Sequence, residues 1–249
     1  MNFFRSHNPV YRRALNETES LDKTYEASTY AGVARKALFY IALVLVGAFG
    51  GLALMVANTE LFVTMLIISL FTTTIFALFA FLIPSAAKVF GSLYCLAEGL
   101  LVGVVSLAFE AVAPGVVLAA LLSTVVVLTL VVTLFLTGTV KVTSKFIRFL
   151  MIFALSILVT MLLLWIISFF VQKKFEFAFD FRIMAVVSGI MIFLCTLYLF
   201  FDLEMIRRVV EGGAPKFFEW YVAFGLVFTL VWLYMEILPL LARLMMRRD

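Results

Sequence analysis

The chain has 249 residues, of which 65% are hydrophobic, and its mean hydropathy is +1.18. Soluble domains are about 45–50% apolar, so this composition excludes a soluble globular protein and indicates an integral membrane protein. The net charge of +4 does not indicate nucleic-acid binding, because Lys and Arg occupy short segments between apolar runs and not one continuous face.

The residues that usually build metal and catalytic sites are scarce. Cys95 and Cys195 lie in apolar stretches, and the single histidine, His7, lies in the polar N-terminal segment. We therefore expect no disulfide framework, no metal site and no cofactor. An intramembrane enzyme is disfavoured for the same reason, and we predict that the chain is not an enzyme.

In chain order, a polar segment of mixed charge is followed by seven apolar segments. We interpret residues 1–34 as a cytoplasmic tail that is partly disordered, and residues 35–249 as one transmembrane domain. A membrane span needs about 20 predominantly apolar residues. The sequence therefore predicts an all-α polytopic membrane protein, a seven-helix bundle with spans at about 37–57, 61–83, 89–109, 116–137, 147–171, 183–206 and 217–242.

The distribution of basic residues predicts the orientation in the membrane. If the N-terminus is inside, 13 of the 19 Lys and Arg residues fall on the inner side and 6 on the outer side. Because basic residues are enriched on the cytoplasmic side, we predict a cytoplasmic N-terminus. The side of the C-terminus stays open, since Arg243, Arg247 and Arg248 fall outside in a seven-span arrangement and inside if the last segment is re-entrant.

Small and hydroxyl-bearing residues within the spans have two interpretations each. Gly47 and Gly51, and likewise Gly99 and Gly103, have the spacing that lets membrane helices approach closely; packing is the favoured interpretation. Threonines at 72–74 and hydroxyls in the fourth span could line a polar path, but such groups more often bond to their own helix.

Acidic residues inside apolar runs are the strongest functional signal, because a carboxylate in hydrocarbon costs about 2.5–3.5 kcal/mol on insertion scales. Glu98 lies near the middle of the third span, where it either makes a structural hydrogen bond or lies on an ion path. Asp202 lies in the last turns of the sixth span, and Arg207 or Arg208 could pair with it. Glu236 is flanked by apolar residues and followed by Pro239.

Two sequence stretches around these acids resemble those of a known family. Tyr198-Leu199-Phe200-Phe201-Asp202, together with the run Leu233 to Leu241 around Glu236, is similar to the paired aspartate motifs in the last two helices of the Bax inhibitor-1 family. The run from Gly213 to Tyr221 resembles a bacterial branch of that family. The resemblance implies a multi-pass protein of the bacterial inner (plasma) membrane.

The resemblance also implies an architecture and an activity. The last helix would lie at the centre, wrapped by the other six, and the protein would be a pH-sensitive calcium leak. Asp202 and Glu236 would share hydrogen bonds between the last two helices and act as the pH-sensing gate. Two acids that meet in low dielectric cannot both ionise cheaply, so one holds a proton near neutral pH.

The spacing of the acids leaves the partner of Asp202 open. Glu236 follows Asp202 by 34 residues. If the last helix starts at 217, Glu236 lies about 28 Å along it at roughly 1.5 Å per residue, and Glu219 is the nearer acid. If residues 217–227 are re-entrant and the span is 228–246, Glu236 lies near mid-membrane and the pairing becomes more favourable.

Two functions follow from these observations. The first is a cation leak in which Glu98 lies on or near the path and calcium binds weakly and transiently, because so few acids cannot supply the six to eight oxygens that calcium prefers. The alternative is a non-conducting regulator that modulates a membrane protease or another membrane complex through its polar N-terminal tail. The expected partners are the lipid bilayer, a cation and a membrane protein, and not nucleic acid.

Overall fold

The computed structural model describes residues 26–57, 62–170 and 181–246, and within these ranges the chain is all α apart from turns, a 3₁₀ turn at Pro84–Ala86 and one isolated bridge. The helices coincide with the seven predicted segments, which confirms the all-α prediction; residues 1–25 of the predicted tail lie outside the described ranges. The helices are α1 Tyr30–Ala57, α2 Phe62–Leu82, α3 Ala87–Val112, α4 Val116–Leu136, α5 Ser144–Phe170, α6 Phe181–Glu211 and α7 Phe218–Met246.

The helices have the length and composition of a multi-pass membrane protein. Among the residues that the structure describes, α1, α3, α4, α6 and α7 each contain an apolar stretch long enough to cross a membrane, and α2 contains a shorter one at Ile67–Leu82. Large apolar side chains such as Leu122, Ile152 and Phe193 are exposed on the outside of the bundle. In a membrane these surfaces face lipid.

The last helix, α7, lies at the centre of the bundle. It packs against α1, α2, α3, α4 and α6, whereas α5 packs on α6. The fully buried side chains include Phe224 and Val227 in its first half and Leu233 and Leu238 in its second half. The last helix is therefore central, as the resemblance implies, and among the described residues its wall consists mainly of five helices.

The last helix is also continuous. It runs from Phe218 to Met246 without interruption and contains Pro239. The alternative of a re-entrant segment at 217–227 is therefore wrong, and Glu219 and Glu236 lie on one helix, Glu219 in its first turn. Glu236 follows Glu219 by 17 positions, which correspond to about 26 Å at roughly 1.5 Å per residue.

Glycines bring the backbones of α1 and α3 into direct contact. A Cβ atom on Gly47 would overlap the carbonyl of Leu96, and a Cβ atom on Gly99 would overlap the carbonyl of Val44. Gly103 meets the Ala48 backbone in the same way. The packing interpretation of these small residues is thus confirmed.

Most hydroxyls in the spans bond to their own helix. Thr73 and Thr74 both donate to the Leu70 carbonyl, at 3.1 and 2.7 Å. On α4, Ser123, Thr124, Thr129 and Thr133 donate to carbonyls four residues earlier. The hydroxyls of α4 therefore satisfy the helix backbone, and they do not require a polar path.

The short turn between α3 and α4 is fixed by one carboxylate and one glycine. Gly115 has a positive φ of 86°, which glycine adopts at little cost. Glu110 accepts the N–H groups of Gly115 and Val117 at 2.6 and 3.0 Å. A negative charge at a helix N-terminus is stabilising, so Glu110 anchors the start of α4.

Candidate functional site

Polar residues recur at seven-residue intervals on both of the last two helices. A seven-residue step is nearly two whole turns, so each set lies on one helix face. Helices α6 and α7 pack together and are joined by only a short connection, so they run antiparallel and the two faces meet. We call this seam the polar ladder; its residues are Asp202, Cys195 and Ser188 on α6 and Thr229, Glu236 and Arg243 on α7.

The first level of the ladder holds Asp202, which is 8% exposed and lies beside Thr229. Gly225 makes room for the carboxylate, since a Cβ there would lie 3.5 Å from Asp202 Oδ1. The Thr229 hydroxyl donates instead to the Gly225 carbonyl, at 3.2 Å. Tyr198 and Tyr221 are the neighbouring titratable side chains.

One oxygen of Asp202 lacks a partner. Within the part of the chain that the structure describes, Asp202 Oδ2 is buried without a hydrogen-bond donor, and no Lys or Arg forms an ion pair with this carboxylate. A charged carboxylate without a donor is costly away from water. Asp202 is therefore a group whose charge the surrounding helices do not compensate.

The second level holds Glu236 and Cys195. Trp232 Nε1 donates to Glu236 Oε1 at 3.3 Å, and the buried free thiol of Cys195 lies near the same carboxylate. Glu236 is only partly buried. This acid therefore has a donor where Asp202 Oδ2 has none.

The third level holds Arg243 and Ser188, which meet near the end of α7. Arg243 Nη1 donates to Ser188 Oγ at 3.3 Å. Arg243 is also close enough to attract the carboxylate of Glu236. The ladder thus carries an acid, a second acid and a base in order along its length.

The structure places Asp202 and Glu236 on successive levels and not in one hydrogen-bonded pair. Glu236 lies seven residues beyond Thr229, the neighbour of Asp202, which is about 10 Å along the helix. Glu236 Oε1 is bonded to Trp232, and Asp202 Oδ2 has no partner among the described residues. Direct proton sharing is therefore absent from this conformation, although both acids line the same seam.

The arginines that follow Asp202 pair with a different acid. Arg207 Nη2 lies 2.5 Å from Glu204 Oε2, and Arg208 Nε donates to Glu204 Oε1 at 2.8 Å. Glu204 is 3% exposed. The alternative in which Arg207 or Arg208 pairs with Asp202 is thus wrong, because both guanidinium groups bind Glu204, two residues after Asp202.

Glu219, the rival partner for Asp202, also has other contacts. It is fully buried and forms an ion pair with Lys36 of α1. Its Oε1 accepts the Thr29 N–H at 2.7 Å. A side chain on Gly32 would overlap the carboxylate, so this glycine provides the space for it. Glu219 is therefore a structural anchor between the start of α7 and the start of α1.

Residues 26–29 bind to the connection between α6 and α7. Ser28 N–H donates to the Ala214 carbonyl at 2.8 Å, and Lys216 N–H donates to the Glu26 carbonyl at 3.0 Å. The Lys216 ammonium pairs with the exposed Glu26 carboxylate and lowers the pKa of that group. The last residues of the predicted tail are thus part of the folded bundle.

Glu98 lines a cleft of about 500 Å³ between α2, α3 and α7. It lies next to Thr73 of α2. The cleft is otherwise mainly aromatic and aliphatic, with Tyr94, Phe228 and Trp232 among its lining residues. The cleft and the polar ladder therefore lie on neighbouring faces of the central helix, and Trp232 contacts both.

Several residues of the site were missed by the sequence reasoning. Thr229 and Ser188 carry no signal as isolated hydroxyls, and Lys36 and Arg243 count among the basic residues that predict the orientation, without a predicted partner. The seven-residue repeat on both helices was the signal that could have found Thr229, Ser188 and Arg243. No such signal marks Lys36, whose partner is 183 residues away in the chain.

Comparison with known proteins gives one finding. A family model described as Bax inhibitor 1 like matches residues 8–246, which is nearly the whole chain. No curated protein and no solved structure matches the chain.

Proposed function

The chain belongs to the Bax inhibitor 1 like family, and from that premise we propose that it is a pH-sensitive cation leak, with calcium as the expected ion. The family and the helix composition make it a multi-pass membrane protein. The observation that supports the leak is the uncompensated Asp202 carboxylate at the seam between α6 and α7.

The physical argument concerns the charge of that carboxylate. When Asp202 is protonated, the seam is electrically neutral at this level and the two helices pack closely. When it is ionised, its charge needs water or a cation, because the described neighbours provide no donor for Oδ2. We expect the ionised form to admit a hydrated cation into the seam.

Glu236 and Arg243 determine how strongly the seam binds a cation beyond Asp202. Glu236 offers a second carboxylate about 10 Å beyond Asp202, and Arg243 attracts that carboxylate and keeps it from being a strong cation site. Two separated acids bind calcium weakly, since calcium prefers six to eight oxygens. Weak binding favours conduction, because an ion must leave each site as readily as it enters.

Calcium flux into liposomes that contain the purified protein tests this proposal. We expect flux in the wild type to rise between about pH 5 and pH 8 as Asp202 loses its proton. Asp202→Asn, which cannot ionise, should give low flux with little pH dependence. Glu236→Gln should lower the flux and leave the position of the pH transition nearly unchanged.

Glu211→Gln is the matched control, because it removes an exposed acid from the same helix and outside the ladder. It should behave as the wild type. An unaltered pH profile in Asp202→Asn would reject Asp202 as the sensor. If the wild type gives no flux above empty vesicles at any pH, the leak itself is rejected and the non-conducting regulator becomes the better hypothesis.

We place the protein in a bacterial plasma membrane with its N-terminus in the cytoplasm. Several basic residues lie at helix ends that the contacts bring to one end of the bundle, namely Lys36, Lys88, Arg207, Arg208 and Lys216. Basic residues favour the cytoplasmic side.

Cysteine labelling tests this orientation. In intact cells, a maleimide that does not cross membranes should label Arg247→Cys and not Lys216→Cys. Cys95 and Cys195 are buried and serve as an unlabelled background; the reverse pattern would invert the topology.

A further inference from the structure

We propose that the Glu98 cleft is a binding site for a small organic ammonium compound with an apolar body. The cleft lies between α2, α3 and α7 and measures about 500 Å³, which is within the usual range for a ligand pocket. The cleft adjoins the polar ladder through Trp232 but contains a different carboxylate, Glu98, and the inference does not rest on the leak activity.

The polar groups of the cleft are mainly hydrogen-bond acceptors. Among the described residues, the Glu98 carboxylate has no Lys or Arg partner. Thr73 and Thr74 both use their hydroxyl hydrogens on the Leu70 carbonyl, so their oxygens are left to accept. Trp232 N–H is directed to Glu236. Tyr94 is the remaining hydroxyl in the lining and can donate or accept.

A cluster of acceptors around one carboxylate selects a ligand that donates and carries positive charge. The Glu98 oxygens and the two threonine oxygens match the several N–H groups of an ammonium ion. A neutral alcohol could satisfy only one of these acceptors and would leave the carboxylate uncompensated. The charge of the ligand is therefore the main determinant of recognition.

The aromatic wall of the cleft supports the same ligand class. Phe228 lies 5.1 Å from Phe81 and 5.5 Å from Tyr94, measured between ring centroids, and Trp232 lines the cleft beside them. Aromatic faces attract organic cations, and the aliphatic parts of Ala77, Leu78 and Met235 suit an apolar body. A bare metal ion fits poorly, since no group of three or more His, Cys, Asp and Glu side chains occurs among the described residues.

The depth and opening of the cleft favour a membrane-dissolved small molecule over a lipid headgroup. Glu98 lies about 17 Å along α3 from its start at Ala87, whereas headgroups stay outside a hydrocarbon core of about 30 Å. Leu78 at the edge of the cleft is 56% exposed and faces the lipid side of the bundle. An apolar amine can enter by this route from the bilayer.

Equilibrium binding of labelled phenylbutylammonium to the full-length protein in phosphatidylcholine nanodiscs tests the proposal, with empty nanodiscs subtracted. Neutral phenylbutanol is the matched probe. We expect saturable binding of the ammonium probe, about ten-fold weaker in Glu98→Gln, with binding of phenylbutanol unchanged. Glu110→Gln, on the same helix but outside the cleft, should bind as the wild type does.

Equal binding of the two probes by the wild type, or unchanged ammonium binding in Glu98→Gln, would overturn the proposal. Thr73→Val, which preserves shape and removes one acceptor, provides a second variant if Glu98→Gln loses its helical circular dichroism; it should also weaken only the ammonium probe. Adding phosphatidylethanolamine to the nanodiscs should not change the binding. Competition by that lipid would assign the cleft to a headgroup and overturn the small-molecule assignment.

Discussion

Asp202 on α6 and Glu219 on α7 are both buried acids, but their electrostatic surroundings differ. Glu219 has the Lys36 ammonium and the Thr29 N–H, whereas the described neighbours give Asp202 Oδ2 no donor. Removing one partner of a buried ion pair leaves an uncompensated charge. The two acids therefore differ in their contacts: Glu219 links α7 to α1, whereas no described group compensates a charge on Asp202.

Replacing Lys36 should reveal the structural role of Glu219. We expect Lys36→Met to lower the free energy of unfolding by about 3–5 kcal/mol, measured by denaturant titration of the protein in bicelles. Lys88→Met is the matched control, because Lys88 also lies over the Trp220 ring, at 5.5 Å, but forms no ion pair among the described residues. Equal losses in the two variants would show that the Trp220 contact, and not the ion pair, matters.

At the scale of helices, the contact between α1 and α3 depends on the absence of side chains. Gly99→Ala should destabilise the protein, because the new Cβ would overlap the Val44 carbonyl and separate the helices. Gly189→Ala on α6 is the control, since no atom lies within 4 Å of its Cβ position. We expect a loss of about 1–3 kcal/mol for Gly99→Ala and no loss for Gly189→Ala, in the same unfolding assay; equal effects would contradict the close-packing account.

The sequence predicted the helices much better than their register. Runs of about 20 apolar residues mark spans whatever their partners are, so all seven helices were placed correctly. The level at which Asp202 meets α7 depends on the short connection at 212–217 and on the continuity of α7 through Glu219. Neither property has a local signature. The expectation that Glu236 meets Asp202 rests on the family resemblance, and the structure has Thr229 at that level instead.

At the scale of the whole molecule, one end of the bundle is held together by segments distant in sequence. Residues 26–29 bind the connection between α6 and α7 through backbone hydrogen bonds, and Thr29 and Lys36 bind Glu219 at the start of α7. The central helix is thus fixed at the end opposite to Arg243. Residues 26–34 therefore belong to the folded bundle, although composition alone assigns them to the tail.

Two truncations test this boundary. Removing residues 1–29 deletes the bond from Ser28 to Ala214, the bond from Thr29 to Glu219 and the ion pair from Glu26 to Lys216. Removing residues 1–25 retains all three and is the matched comparison. The bond from Ser28 to Ala214 contributes roughly 0.5–1.5 kcal/mol and the bond from Thr29 to the charged Glu219 roughly 1.5–3 kcal/mol, whereas the exposed ion pair adds little. The protein without residues 1–29 should therefore have a free energy of unfolding at least about 2 kcal/mol lower than the protein without residues 1–25. Because Glu219 would then lose a donor while Asp202 keeps its surroundings, the pH dependence of calcium flux should survive the longer deletion. Equal unfolding of the two truncations would show that residues 26–29 do not anchor the bundle, and a lost pH dependence would show that the anchor and the ladder act as one unit.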